Sequence, residues 1–172
     1  GREAAFKDLT DAMCDVNRTI AAGFSYGATT AVLTAHLYPD VIRGLILLDG
    51  WFYVDVGKSA GIEFEFPSQA FEEKKKSLDI PSVFVNSEQF AGIPKLYGAT
   101  CRLARLLNPN GKRNESDMHV IDGTTHCNFC DFVFWVPSFI LQKLKVVGLA
   151  DPRVAYQEII RHSTDFLKHN FQ

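Results

Sequence analysis

The chain has 172 residues, 47% of them hydrophobic and 12% aromatic, enough for one globular domain with a substantial core. A formal net charge of -2 argues against a nucleic-acid binder, which carries a basic face. No apolar run reaches the roughly 18 residues that a membrane-spanning helix needs. The start, Gly1-Arg-Glu-Ala-Ala-Phe6, is neither an initiator Met nor a signal peptide and reads as the middle of a helix. The chain is therefore expected to be part of a longer protein, and its compartment, secreted or cytoplasmic, stays open.

Phe6, Leu9, Met13 and Val16 recur at helical spacing, which predicts an amphipathic helix over residues 3–16. A strand is expected at about 18–23. A helix follows from about 26 to 37 and stops before Pro39. Gly44-Leu-Ile-Leu-Leu48 is a continuous apolar run, as in a parallel strand buried on both faces. Residues 52–79 are irregular, and their charge run Glu72 to Lys76 reads as a solvated helix face. Pro81 opens a strand over 82–86, and a helix is expected at roughly 93–107, before Pro109. A polar loop leads to a short strand, 118–121. A helix is expected to begin near Asn128, with Pro137 as a kink or restart. Asp151-Pro152 is an N-cap with proline at the first helical position, and the last helix should turn Val154, Ile159, Ser163 and Phe166 inward. Strands alternating with helices predict an α/β fold with a parallel sheet.

The densest signal is at residues 19–31. Ile20 to Ala22 run into Gly23-Phe24-Ser25-Tyr26-Gly27, and a helix-forming run of small residues follows. This is the G-x-S-x-G nucleophile elbow in its strand–turn–helix setting, with Ser25 lifted clear of the sheet. Gly23 and Gly27 are expected to be small because strand and helix crowd each other, and Ala28, Ala31 and Ala35 let the helix pack closely. The plainer reading is a glycine-rich turn of any α/β protein. In an α/β-hydrolase several strands precede the elbow, so the chain reads as the C-terminal half of one catalytic domain spanning 1–172.

A serine hydroxyl is a poor nucleophile at neutral pH and needs a base held by an acid. In this fold the order is Ser, acid, His, each in a loop at the C-terminal end of a strand. Among the five histidines, His36 ends the elbow helix, His119 lies in a strand, and His162 and His169 lie on the last helix. Only His126 is in a loop at the correct strand end. For the acid, Asp49 after the second strand and Glu88 after the third both qualify, with Asp122 and Asp131 behind them. Asp131 is read rather as a brace of the His126 loop. The amide of Tyr26 is the expected oxyanion donor. The second donor would come from a loop outside this chain, and losing one such donor costs about 3 kcal/mol. The chain by itself is thus not expected to be a competent enzyme.

The four cysteines are Cys14, Cys101, Cys127 and Cys130. The Cys127-Asn-Phe-Cys130 pair could be a redox site or half a zinc site, but no second ligand cluster accompanies it. Buried, reduced thiols are the expectation, with no metal and no cofactor. Of the sequons, Asn17-Arg-Thr19 leads into a core strand and Asn114-Glu-Ser116 lies in a polar loop.

Four blocks resemble one family, the platelet-activating factor acetylhydrolases, also described as lipoprotein-associated or type II phospholipases A2. They are Gly23-Phe-Ser-Tyr-Gly-Ala-Thr29, Leu47-Leu-Asp-Gly-Trp51, Ile80-Pro-Ser-Val-Phe-Val-Asn-Ser-Glu88 and Gly123-Thr-Thr-His-Cys-Asn-Phe-Cys-Asp-Phe132. The run Leu141 to Gly148 followed by Asp151 is similar as well. The resemblance implies an α/β-hydrolase fold with Ser25 as nucleophile, His126 as base and Asp49 as acid. It implies calcium-independent hydrolysis of short or oxidised sn-2 acyl esters of phospholipids, the 1-alkyl-2-acetylglycerophosphocholine esterase reaction. Trp51 and Phe52 would then line the acyl side of the pocket, or belong to the core, and Cys127 stands where relatives carry a pocket Gln. It also implies contact with a lipid or lipoprotein surface, here through Trp135, Phe139, Ile140 and Leu141, though a packed core helix is equally apolar. The departures are Phe24 for His, Ala28 for Gly and a longer 52–79 connection. A general carboxylesterase of the dienelactone-hydrolase kind, or an inactive fragment, are the rival readings.

Overall fold

The computed structural model describes residues 18–52, 78–111 and 117–171. The expected helix over 3–16 and most of the irregular 52–79 stretch lie outside them. In chain order the elements are β1 (Thr19–Phe24), α1 (Tyr26–Leu37), β2 (Ile42–Leu48), β3 (Ser82–Ser87), α2 (Glu88–Ala91), α3 (Pro94–Leu106) and β4 (Met118–Ile121). Two 3₁₀ turns follow (His126–Phe129 and Asp131–Phe134), then α4 (Ser138–Lys143) and α5 (Pro152–Phe171). Among the described residues the strands form one parallel sheet in the order β1-β2-β3-β4. The expected α/β architecture is present, and the alternation of strand and helix is that of the α/β-hydrolase fold.

Side chains alternate across each strand, so the sheet sorts its apolar residues into two cores. Leu45, Leu47 and Phe84 face α1 and α3, packing with Ala28, Val32, Leu103 and Leu107. Their neighbours Ile46, Leu48, Val83 and Val85 face α5, packing with Ala155, Ile159 and Phe166. All six residues of β3 are buried, which identifies it as a strand covered on both faces. Ala28, Ala31 and Ala35 lie within 5% of full burial, so α1 rests on β1 and β2 through methyl groups. Removing a side chain such as Leu103 from this packing would cost about 2–5 kcal/mol.

Helix limits follow local chemistry. Helix α1 ends where the Tyr38 amide bonds the Thr34 carbonyl, ahead of Pro39. Helix α3 starts with Pro94 at its first position. At α5, Asp151 Oδ1 accepts from the amides of Arg153 (2.8 Å) and Val154 (3.3 Å), the expected N-cap. That cap sets the phase of the helix and corrects the inward face. Val154 is 56% exposed, and Ala155, one residue on, is buried with Ile159 and Phe166.

The single helix expected from Asn128 is replaced by the two 3₁₀ turns, with Cys130 between them in an extended conformation (φ -108°, ψ 146°). Asn128 is the reason at the first turn. Its side chain accepts the Thr125 amide at 2.8 Å, offering the backbone a local partner that competes with a continuous helix. Pro137 is the reason at the second, since it can only precede α4.

Candidate active site

The parallel register brings four strand ends to one edge. Phe24 pairs with Leu48, Leu48 with Val85, and Ser87 with Ile121. Ser25, Asp49, Glu88 and the loop carrying His126 therefore all leave the sheet at its C-terminal end, the binding edge of open α/β sheets.

Ser25 occupies φ 57°, ψ -121°, a conformation that costs a side-chain-bearing residue about 1–3 kcal/mol. The surrounding backbone holds it there. The Ser25 amide donates to the Leu48 carbonyl at 3.0 Å, and the Ser25 carbonyl accepts from the Trp51 amide at 3.1 Å. A Cβ on Gly23 would collide with the Gly27 carbonyl, so only glycine fits before the elbow. The expected crowding is one-sided, because a Cβ on Gly27 would meet nothing within 4 Å.

Asp49 is fully buried and also has positive φ, 43°. Its Oδ1 accepts the Ser87 amide at 2.7 Å, and its Oδ2 accepts the Ser87 hydroxyl at 3.0 Å. The same Oδ2 lies 2.7 Å from His126 Nδ1. These contacts answer the charge of a carboxylate that burial alone would penalise. His126 Nε2 lies 3.1 Å from Ser25 Oγ. The imidazole is stacked on Phe24 at 4.6 Å and tilted against Trp51 at 5.0 Å. Its side chain is 25% exposed, open enough to be reached and held on two sides.

Glu88 does not meet the imidazole. Its Oε2 accepts the Gly123 amide at 2.6 Å, tying β3 to the start of the histidine loop. Asn128, 1% exposed, braces the other side of that loop: Oδ1 accepts the Thr125 amide, the Thr125 hydroxyl (3.1 Å) and the Gly148 amide (2.9 Å). Bracing expected of Asp131 thus falls to Glu88 and Asn128, while Asp122 and Asp131 are exposed. Ser87, Phe24 and Asn128 went unassigned in the sequence. A Thr-x-x-Asn spacing directly at a predicted loop was the available signal for Asn128. For Ser87, only the strand register could provide one.

Tyr26 opens α1, so its amide is among the first-turn donors with no partner inside the helix. Its ring meets Trp51 edge-on at 5.5 Å. Phe52 is 1% exposed and packs on Phe84, so it belongs to the core and not to a pocket wall. Cys127 is half-buried against Val133, Leu141 and Val147. The buried thiols expected from sequence are instead partly exposed at Cys101, Cys127 and Cys130. Among the described residues, no group of three or more His, Cys, Asp or Glu side chains is placed to hold a metal ion. A cavity of about 480 Å³ lies at the opposite end of β3 and β4, between Ser82, Arg105 and Met118, and includes none of the Ser–His–Asp groups.

The family model of platelet-activating factor acetylhydrolase, isoform II, matches residues 2–172. The chain belongs to this family. Among curated proteins it is similar to the platelet-activating factor acetylhydrolase of Cavia porcellus, 28% identical over 155 residues, which is 90% of this chain and 30% of that protein. The chain thus spans about a third of the length of that acetylhydrolase. No solved structure matches it.

Proposed function

We propose that this acetylhydrolase-family chain carries the nucleophile, base and acid of a serine ester hydrolase acting on phospholipids with short or oxidised sn-2 acyl groups. The observation behind the proposal is the unbroken line from Ser25 Oγ through His126 to Asp49. Asp49 accepts from Nδ1, which leaves the Nε2 lone pair facing the serine hydroxyl. His126 takes the proton as Ser25 Oγ attacks the acyl carbonyl, then returns it to the departing lysophospholipid oxygen. Water repeats the sequence to free the acyl group from Ser25. The Tyr26 amide stabilises the oxyanion together with a second donor from elsewhere in the full-length protein. A protein-borne nucleophile replaces metal-activated water, so the reaction needs no calcium.

Trp51, against His126, forms the acyl side of the site. Trp135 (82% exposed), Phe139 (69%) and Ile140 (39%) present an apolar surface beside Lys143 and Lys145, suited to an anionic lipid interface. Leu141 leaves that set, since it is buried with Val133 and Val147.

The test is a fluorophosphonate probe on full-length protein, followed by turnover of acetylated phospholipid against a soluble aryl ester. Ser25 labels in the wild type and not in Ser25→Ala, and His126→Ala loses about 10⁶-fold in turnover. Failure to label sinks the hydrolase reading. Strong preference for the soluble ester leaves the hydrolase and removes the phospholipid.

A further inference from the structure

We propose that Ser87 is a positioning residue whose hydroxyl sets the plane of the Asp49 carboxylate, and so the angle at which Asp49 holds His126. Asp49 and Ser87 are both fully buried, out of reach of solvent. Among the described residues the carboxylate accepts three hydrogen bonds, and two of them come from Ser87. The Ser87 amide donates to Oδ1 at 2.7 Å, and the Ser87 hydroxyl donates to Oδ2 at 3.0 Å. The third bond joins the same Oδ2 to His126 Nδ1 at 2.7 Å. A single bond would let the carboxylate turn about Cβ–Cγ. Two bonds from one residue, one to each oxygen, fix its plane as a bidentate partner does.

The direction of the hydroxyl proton is fixed as well. Ser87 caps α2, and its Oγ accepts the Phe90 amide at 3.2 Å. A serine hydroxyl has one proton to donate, and with the Phe90 amide on its oxygen that proton points to Asp49. The Asp49 amide donates to the Val85 carbonyl at 2.8 Å, so β3 holds the backbone of Asp49 while Ser87 holds its side chain. The turn that begins at Ser87 also reaches the histidine loop. Glu88 Oε2 accepts the Gly123 amide, and the Gln89 amide donates to the Thr124 carbonyl at 3.1 Å. Three consecutive residues thus hold the acid and the start of the loop that carries the base.

Without the hydroxyl, the Ser87 amide still holds Oδ1, and Oδ2 keeps only His126. A buried carboxylate oxygen deprived of a donor is costly, which favours turning the group toward another one. Turning about Cβ–Cγ carries Oδ2 away from Nδ1 and frees the imidazole, whose Nε2 stands 3.1 Å from Ser25 Oγ. A misplacement near 1 Å costs about a hundredfold in rate. Ser87 is buried and touches no substrate, so the loss falls on kcat and not on KM. The effect on rate rests on the serine-hydrolase reading, whereas the hold on the Asp49–His126 pair does not.

The experiment compares full-length wild type, Ser87→Ala, Asp49→Asn and the double variant. It reads kcat and KM for a soluble aryl ester and the rate of fluorophosphonate labelling at Ser25. It also reads the low-field proton NMR resonance of the Asp49–His126 hydrogen bond, identified by its loss in His126→Ala. Ser87→Ala should lower kcat and labelling by about ten- to a hundredfold, leave KM within about twofold, and shift the resonance. Ser87→Cys keeps the shape but donates weakly, so its kcat should fall between wild type and Ser87→Ala. In the Asp49→Asn background, Ser87→Ala should cost less than about threefold, because the group it acts through has changed. An equal loss in both backgrounds overturns the proposal, since a hydroxyl that only caps α2 acts whatever stands at position 49. An unshifted resonance in Ser87→Ala overturns it too. If wild type neither labels nor turns over the ester, the hydrolase reading and the rate effect fall together, and the resonance still decides whether Ser87 holds the pair.

Discussion

The Ser25 turn and the histidine loop face each other across the site, and they are held by different means. Around Ser25 the restraint is backbone: amide and carbonyl bonds to Leu48 and Trp51, and a glycine where no Cβ fits. Around His126 the restraint is side chain: Glu88 on the Gly123 amide, Asn128 on Thr125 and Gly148, Asp49 on the imidazole. A backbone-held turn can keep a strained residue because every neighbouring bond over-determines it. A side-chain-held loop is adjustable, and its position depends on residues far away in the chain. One half of the site is therefore rigid by local sequence, and the other is placed by tertiary contacts.

The largest test of this contrast is at the junction of the two regions. Asp49→Asn should lower turnover by about 10⁴-fold, because an amide cannot hold the same imidazole tautomer. Glu88→Gln, measured beside it, should stay within about tenfold, since the uncharged side chain still accepts the Gly123 amide. A silent Asp49→Asn would assign the acid elsewhere. On the nucleophile side, Gly23→Ala should destabilise by about 3 kcal/mol through forced backbone movement, while Gly27→Ala should stay within about 0.5 kcal/mol. Denaturant midpoints of the two variants decide it, and equal losses would refute the one-sided crowding.

On the histidine side, Asn128→Ala strands the partly buried amides of Thr125 and Gly148, at about 1–3 kcal/mol. Its turnover should fall further than its stability explains, because the turn carrying His126 loses its anchor. Comparing kcat with the thermal midpoint separates the two effects.

The smallest expected effect lies away from the site. His119 on β4 and His162 on α5 are stacked at 3.7 Å. Burial first, then the facing imidazole for His119 and Arg161 for His162, lower both from the ordinary 6.5. Asp117 and Asp165 oppose the shift at His119, and Glu158 and Asp165 oppose it at His162, without reversing it. Well above pH 6.5 both rings are neutral whether folded or unfolded, and they contribute no pH dependence. As pH falls through 6.5 the unfolded chain binds protons first, so stability declines until the lowered folded values are reached. Thermal midpoints at pH 7.5 and 5.5 should therefore separate more in the wild type than in His162→Gln. Equal separations would remove the imidazole pair as the cause.

Much of this arrangement was readable before any fold was known. Ser25 announced itself through neighbouring residues alone, since a strand, a glycine and a run of alanines dictate the elbow locally. Asp151-Pro152 did the same for the start of α5. The errors came where a residue answers to partners distant in sequence. Val154 and Leu141 suit either face by composition, and only the phase set by a cap or a packed cluster turned one out and the other in. Phe52 could have lined the site until Phe84 was placed against it. The 3₁₀ turns defied helical periodicity because the side chain of Asn128 takes up the Thr125 amide.

By itself the sequence determined the order of the candidate groups: serine, carboxylate, histidine, each after a strand. It left Asp49 and Glu88 both open as strand-end acids, with Asp49 ahead, and family resemblance strengthened the first. Tertiary structure separated them physically. Parallel pairing sets β2 beside β1, so that Asp49 reaches the imidazole standing over Ser25, while Glu88, one strand further, accepts the Gly123 amide instead. Strand neighbours are chosen by long-range burial of both sheet faces, which no local spacing encodes.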